Sequence, residues 1–455
     1  LPMTQCSSPF APTALERAVP RYTSYPTAPH FRPDMEPATY GRWLDDLAPD
    51  ARLSLYLHVP FCDDLCWFCA CRTQGAKRYE PLARYLACLA KELEMVAARL
   101  GPDRVVSQMH WGGGSPTILK PADMAWLHER VAELFPGVKR AEFAVEIDPR
   151  DMNAERLDAL SGLGMTRASI GVQDFDETVQ KAIGRMQGHA MTRDVVEGLR
   201  GRGVESVNID LLYGLPHQTR ESLARTIKQV IALGPDRLAL FGYAHVPWMA
   251  KRQKMIPEDA LPGTEERRAQ AALARRMLLE AGYEAIGIDH FAKPADSLAV
   301  AAREGTMRRN FQGYTVDASD ALIGFGASAI GSMPQGYVQN DPTTATYQLR
   351  VEAGQLPVRK GVALTLEDRM RRDAIEQVLC GFRVDVEALR RRYGDFAAPL
   401  AETVRGLLAE APEDALEPWR GGFRIAEAWQ SHARLVAAEF DAYLARSAAR
   451  HSLAV

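Results

Sequence analysis

From residue 53 onward, short apolar, β-branched runs alternate with longer stretches whose apolar positions recur every three or four residues. The short runs predict strands over 53–59, 105–110, 142–147, 167–172, 206–212 and 237–242. The longer stretches predict helices over 79–100, 121–135, 153–163, 190–202, 220–233 and 264–281. Strand and helix in strict alternation imply parallel pairing through right-handed crossovers. Six such units with continuous apolar strands predict an α/β fold, a partial (β/α)6 barrel rather than an open doubly wound sheet. The polar and glycine-rich motifs fall just after the strands, where a parallel barrel gathers its loops on one face.

The flanks read differently. Residues 1–50 are rich in Pro and aromatic residues with weak periodicity. Their run Arg21-Tyr22-Thr23-Ser24-Tyr25-Pro26-Thr27 predicts an arm strapped onto the main domain, and a candidate lid over its site. Residues 283–350 are mixed, with a glycine-rich stretch at 323–331, and complete a barrel domain of 51–350. Residues 351–455 predict a mainly helical unit. Helices are expected at 367–380, 385–392 and 400–410, then a strand at 422–425 and a last helix from 426, in a winged-helix-like pattern. It has no basic recognition helix, so DNA binding is not expected.

Of the 455 residues, 47% are hydrophobic and 25% charged, which excludes wholesale disorder. Net charge is −3, and 45 Arg against 10 Lys are spread along the whole chain rather than patched, so no nucleic-acid partner is expected. No apolar run reaches the ~18 residues of a membrane helix. The start Leu1-Pro2-Met3 leaves Met3 a candidate first residue, and the opening shows no secretory pattern. A monomeric, cytoplasmic protein is the expectation. The seven Cys are an odd number, and four of them lie between Cys62 and Cys71, which argues for a reducing compartment and a metal-binding or catalytic cluster.

That segment reads His58-Val59-Pro60-Phe61-Cys62-Asp63-Asp64-Leu65-Cys66-Trp67-Phe68-Cys69-Ala70-Cys71. Cys62, Cys66 and Cys69 have three and then two intervening residues. Three thiolates in one loop can hold an iron–sulfur cluster and leave one iron open to another ligand. Structural zinc is the alternative, but no second ligand pair follows the loop, and only His58 or Cys71 could complete a fourth position.

This spacing after a first barrel strand resembles the radical S-adenosylmethionine superfamily. The extra Cys71, the arm at 21–27, the run His110-Trp111-Gly112-Gly113-Gly114-Ser115-Pro116 and the run Asn310-Phe311-Gln312-Gly313-Tyr314-Thr315 narrow the resemblance to the oxygen-independent coproporphyrinogen III oxidase family. The related haem chaperones lack the equivalent of Cys71 and the arm. The resemblance implies a [4Fe–4S] cluster on Cys62, Cys66 and Cys69. Its open iron would chelate S-adenosylmethionine, whose cleavage gives a 5′-deoxyadenosyl radical. A second S-adenosylmethionine is implied beside the first. The substrate would be coproporphyrinogen III, oxidatively decarboxylated at two propionates in haem biosynthesis, with a low-potential flavodoxin or ferredoxin as electron donor. The resemblance also makes part of 283–350 a substrate-covering extension. A haem chaperone, or another radical enzyme acting on tetrapyrroles, is the alternative on the same barrel.

The residue roles follow the same resemblance. Tyr56, Phe68, Gly113, Gly114, Ser115 and Glu146 would contact the cluster-bound S-adenosylmethionine. Ser115 stands where Thr is expected. Gln173, Arg185 and Asp210 match positions holding the second molecule, and Ala244 and Ile330 match backbone or apolar contacts to the bound nucleosides. His58, Cys71, Phe311 and Gln312, with Tyr56, match functionally important positions. Each also has a plainer reading. Tyr56 and His58 could be barrel packing, Cys71 a small buried hydrophobe, the glycines a tight turn, and Glu146 or Asp148 a helix cap. Arg308 and Arg309 suit propionates by chemistry, though a single Arg is usually a solvated surface residue. Cys6, Cys88 and Cys380 are expected to be incidental.

Overall fold

All six apolar runs form strands in the computed structural model, which describes residues 8–11 and 14–444. Leu1, Pro2, Met3 and Cys6 lie outside the described residues. The strands are β1 (Arg52–Val59), β2 (Val105–Gly113), β3 (Glu142–Ile147), β4 (Arg167–Gln173), β5 (Ser206–Tyr213) and β6 (Arg237–Gly242), paired in parallel in that order. Between them run α2 (Glu80–Leu100), α3 (Pro121–Leu134), α4 (Ala154–Gly162), α5 (Glu177–Ala182), α6 (His189–Arg200) and α7 (Arg220–Leu233), and α8 (Thr264–Glu280) follows β6. Local chemistry sets several helix starts. Asn153, Asp176 and Thr219 each accept a first-turn backbone N–H, and Thr219 forms a capping box with Ser222.

The strand pattern explains the burial. Leu53, Leu55, Leu57 and Val59 face outward into one apolar core with Leu86, Leu89 and Leu93 of α2. The intervening Ser54, Tyr56 and His58 face the barrel interior, as the period of two requires.

The sheet goes beyond six strands. Past β6 come β7 (Glu284–Ile286) and β8 (His290–Ala292); β8 pairs antiparallel with β6, and β7 pairs antiparallel with β8 at the sheet edge. A separate hairpin of β9 (Arg308–Asn310) and β10 (Gly313–Thr315) precedes β11 (Ala321–Phe325), which pairs parallel with β1. Then β12 (Ile330–Met333), β13 (Gly336–Asn340) and β14 (Val358–Ala363) continue antiparallel, giving a 12-stranded sheet in all. The mixed stretch 283–350 conceals these because its strands are mostly three to five residues long, too short to show a period.

The first fifty residues are more than a strap. Helix α1 (Pro37–Asp45), not expected from the sequence, sends Tyr40, Trp43 and Leu44 into the barrel core. Phe10, Leu15, Val19, Tyr22 and Tyr25 enter the C-terminal core beside Val378, Phe423 and Leu435. That core belongs to α9 (Leu366–Gly381), α10 (Val386–Tyr393), α11 (Ala398–Glu410) and a three-stranded sheet of Arg383–Val384, Gly422–Ile425 and Leu416–Trp419. The expected last helix begins as a 3-10 turn, Glu427–His432, before an α-helix over Ala433–Ala438. A free lid would leave the two arm tyrosines exposed, yet both are buried, so the arm is built into the core.

A buried carboxyl joins α2 to the antiparallel wing. Glu92, 1% exposed, accepts hydrogen bonds from the Tyr347 hydroxyl (2.6 Å), the Gly326 N–H (2.7 Å) and the Asn340 amide (2.7 Å). Burial pushes it up to about 7 against the pull of these donors. A carboxyl raised in the folded state binds its proton there before it does in the unfolded chain. Its contribution to stability is therefore largest at low pH and falls as pH rises from the ordinary carboxyl range through about 7, by about 3 kcal/mol. We expect denaturant melts of Glu92→Gln to lack this slope between pH 5 and pH 8. A wild-type minus variant difference that is flat over that range would mean that Glu92 stays ionised throughout.

Candidate active site at the barrel mouth

The cysteine loop leaves β1 at Val59 and is pinned at several points. Its Phe61-Cys62 pairs in parallel with Gln74-Gly75, and the Trp67 N–H donates to the Ile183 carbonyl at 2.9 Å. Arg252 donates to the Cys71 carbonyl (3.1 Å) and the Thr73 hydroxyl (2.8 Å). The Gln253 amide donates to the carbonyls of Phe68 (2.7 Å) and Ala244 (3.1 Å), tying the loop to the segment after β6.

Charge converges on Cys66. Arg150 and Arg185 each donate to its sulfur at 3.4 Å, and both also bind the Asp148 carboxylate, at 2.7 Å and 3.0 Å. Asp148 is buried, but these two guanidinium groups hold its carboxyl below the ordinary range. Burial, with the neighbouring Cys69 and Cys66, pushes the Cys62 thiol up to about 12. Cys69 is lowered, first by a hydrogen bond from the Cys71 thiol, and Cys71 is raised in return. The loop thus combines thiols with fixed cations, the setting in which thiolates bind metal.

The glycine run after β2 is where this loop and β3 approach. A Cβ at Gly114 would lie 2.5 Å from the Phe61 carbonyl oxygen, and one at Gly112 would lie 2.5 Å from Glu146 Oε1. Gly113 has φ +116 and donates its N–H to Glu146 Oε2 at 3.0 Å. No other residue allows such close contact. Ser115 donates its N–H to the Phe61 carbonyl (2.8 Å) and its hydroxyl to Asp151 (2.5 Å), whose carboxyl burial pushes up to about 6.

Protonation states inside the mouth follow from contacts. Burial lowers His58, so its ring is neutral. With Nε2 facing the Arg72 carbonyl (3.4 Å), Nδ1 is the acceptor for the Tyr56 hydroxyl (3.0 Å). Tyr56 is raised well above its ordinary value by burial and stays a phenol. Burial would raise Glu146 too, but His110 (3.3 Å) and the Gly113 N–H outweigh it, so it stays a carboxylate.

The other predicted residues divide in two. Asp210 on β5 accepts from the Asn208 amide (2.7 Å) and Ser169 (3.3 Å), and burial pushes it up to about 6. Gln173 ends β4 in the left-handed region, φ +71, at a register shift against β5. Arg185 donates to the Gly171 carbonyl at 2.7 Å beside it. Phe68 packs with Ile183, Leu212, Tyr243 and Ile256. Arg185 meets the cysteine loop at Cys66 and Ala244 is tied to it through Gln253, with Gln173 and Asp210 on the neighbouring strands. Phe311, Gln312 and Ile330 sit on a second wall. Phe311 packs edge-on against Phe31 and Tyr337, and Ile330 joins the same cluster, its carbonyl backing onto Gly324, the register partner of Tyr56. Of the two candidate propionate arginines, Arg308 pairs with Glu376 at 3.4 Å in an exposed setting, whereas Arg309 is buried over the Tyr314 ring at 4.4 Å.

Sequence reasoning missed Arg150, Asp151, His110, Arg252 and Gln253. The first two follow Asp148 at a predicted strand end and were open to notice. Arg252 and Gln253 lie in an irregular segment that nothing marks.

The residues present fit an iron–sulfur cluster with a polar organic ligand. Two guanidinium groups donate to Cys66 in a loop that carries three thiols, three glycines leave backbone room, and buried polar atoms of Arg185 (Nε), His110 (Nδ1) and Gln312 (Nε2) have no hydrogen-bond partner.

Comparisons with known proteins agree. The radical SAM superfamily model matches residues 56–230. The oxygen-independent coproporphyrinogen III oxidase of Cereibacter sphaeroides is 48% identical over 93% of this chain and 94% of its own. The Paracoccus denitrificans protein of the same name is 46% identical over 96% of both chains. Among solved structures, coproporphyrinogen III oxidase from Escherichia coli, described as a radical SAM enzyme, superposes with a TM-score of 0.88 at 36% identity, covering 94% of this chain and all of that one. The chain belongs to the oxygen-independent coproporphyrinogen III oxidase family of the radical SAM superfamily.

Proposed function

We propose that this protein converts coproporphyrinogen III to protoporphyrinogen IX without oxygen, turning two propionates into vinyl groups. The observation that carries the reading is the Cys62–Cys69 loop closed through Gly112–Gly114 onto Glu146 at the barrel mouth. Each propionate would lose a hydrogen atom from its β-carbon, one carbon dioxide and one electron. When bound, the [4Fe–4S] cluster and S-adenosylmethionine supply the hydrogen-abstracting radical chemistry.

This chain's residues bind, orient and shield. Cys62, Cys66 and Cys69 would hold the cluster, with Arg150 and Arg185 offsetting its negative charge. Glu146, kept ionised, would accept from the amino or ribose groups of S-adenosylmethionine, with Gly113, Gly114 and Ser115 lining the approach. Tyr56 and Phe68 would flank it, and neutral His58 would keep the Tyr56 hydroxyl directed. Gln173, Arg185 and Asp210 would receive a second S-adenosylmethionine, with Ala244 and Ile330 against the bound nucleosides. Cys71, Phe311 and Gln312 would face the reacting side chain. We further propose that a low-potential flavodoxin or ferredoxin delivers the electron, and that the protein works as a monomer in the reducing cytoplasm. The six described cysteines, which form no disulfide, suit that compartment.

The test is anaerobic. Reconstituted, reduced protein is given S-adenosylmethionine and coproporphyrinogen III, and porphyrin mass is followed. Loss of two carbon dioxide units is expected. S-adenosylmethionine cleavage with unchanged porphyrinogen would instead favour a haem chaperone or another tetrapyrrole substrate. Alanine at Cys62, Cys66 or Cys69 should abolish both iron content and turnover. Glu146→Gln should keep iron but lower kcat/KM by about 100-fold or more, the range for losing a charged contact to a bound ligand. Gly114→Ala should displace the cysteine loop and cost about 1–3 kcal/mol of stability together with iron and sulfide content. Full iron content in that variant would show that the loop tolerates the extra methyl.

A further inference from the structure

Helix α8 repeats its apolar residues only weakly because one of its faces borders a cavity of about 1110 Å³. The opposite walls are the end of β6, the segment from Gly287 to Phe291, Arg21 of the arm, and the turn before Arg434. Small Ala271 and Ala272 leave the space open, and Phe241 and Phe291 give it apolar sides. Its charge is lopsided. Five guanidinium groups, of Arg21, Arg267, Arg268, Arg275 and Arg434, line it against three carboxylates, of Glu265, Asp289 and Glu427. Two of these carboxylates are engaged, Glu427 with Arg275 at 3.2 Å and Asp289 with His290 at 2.6 Å.

Two of the arginines are set side by side. Arg21 donates to the Gly242 carbonyl at 2.6 Å and Arg267 to the next carbonyl, Tyr243, at 2.9 Å. Their guanidinium carbons lie 5.9 Å from the ring centres of Phe241 and Tyr213 respectively. Burial lowers the pKa of both, and Arg21 adds its repulsion at Arg267. Two guanidinium forks set side by side over aromatic faces suit a ligand with carboxylates at its edge and an apolar body.

We propose that Arg21 and Arg267 receive propionate carboxylates of the tetrapyrrole, with its macrocycle between Phe241 and Phe291. This rests on the function proposed above. Two of the four propionates survive that reaction, so a carboxylate clamp can hold the molecule through both decarboxylations. The clamp stands at the C-terminal ends of β5 and β6, next in sequence to Ala244, on the barrel rim from which the cysteine loop also leaves.

The test titrates coproporphyrin III, the air-stable tetracarboxylate, into reconstituted protein by fluorescence, with its tetramethyl ester as the uncharged control. Arg267→Ala and Arg21→Ala should each raise Kd at least tenfold, and Arg267→Lys should recover part of the loss. The ester should bind weakly to all of them. Iron content and melting temperature should match wild type for Arg267→Ala and Arg267→Lys, which separates lost binding from misfolding, and the Arg267 pair alone decides the question if Arg21→Ala unfolds. Variants that bind within twofold of wild type, or an ester that binds as tightly as the acid, would overturn the clamp while leaving the enzymatic reading in place. Wild-type protein that converts no coproporphyrinogen overturns the enzymatic reading, and the clamp with it.

Discussion

The Asp148 carboxylate, gripped by Arg150 and Arg185, is the contact around which the barrel mouth is organised. A buried charge is tolerated only when paired, and removing one partner is far more costly than removing both. Here one carboxylate meets two guanidinium groups, so a local positive charge remains, and both cations spend it on the Cys66 sulfur. The arrangement draws four pieces of chain together: the end of β3, the turn after it, the loop after α5 and the cysteine loop. Because Arg185 also holds the Gly171 carbonyl, it fixes the irregular end of β4 where Gln173 takes its left-handed conformation. Thiolates and an anionic cluster are favoured at such a point for the same reason that the carboxylate is.

Close backbone approach is the second constraint. Three consecutive glycines let β2's end pass under the cysteine loop and against Glu146 and His58 with no intervening side chain. That closeness explains the unequal protonation of neighbours. Glu146 gains a backbone N–H and an imidazole and stays charged, while Asp210, with weaker partners, is driven toward the neutral form by burial. Two carboxyls in one barrel interior thus differ in charge because their hydrogen bonds differ.

The arm joins two cores that the sheet alone would not connect. Arg434 holds the Val19 carbonyl at 2.7 Å, the Tyr22 hydroxyl donates to Asp441 at 3.0 Å, and Arg21 reaches back to the end of β6. Residues of the N-terminal arm therefore complete the C-terminal unit, and the same contacts enclose the cationic cavity. Order in the arm and shape of the cavity depend on one set of contacts.

The six parallel strands and their helices were legible because each carries a full period of apolar positions, and burial on both faces leaves no other use for such runs. The cysteine spacing, the glycine run and Glu146 were legible because loop chemistry is local, needing particular residues at neighbouring positions. The short antiparallel strands, helix α1 and the packing of Phe311 and Ile330 against Phe31 were not, since each is too short to show a period and owes its place to partners distant in sequence. Nor could sequence single out Arg252, Gln253 or Arg267 among 45 arginines and many polar residues. A guanidinium becomes functional only when folding surrounds it with a sulfur, a carboxylate or a pair of carbonyls. By itself, then, the sequence determined the barrel and the loop that ends its first strand, because both follow from periodicity and spacing along the chain. Which charges meet at the mouth, and which cavity the arm encloses, was decided only by tertiary structure, because electrostatic pairing depends on distance in space.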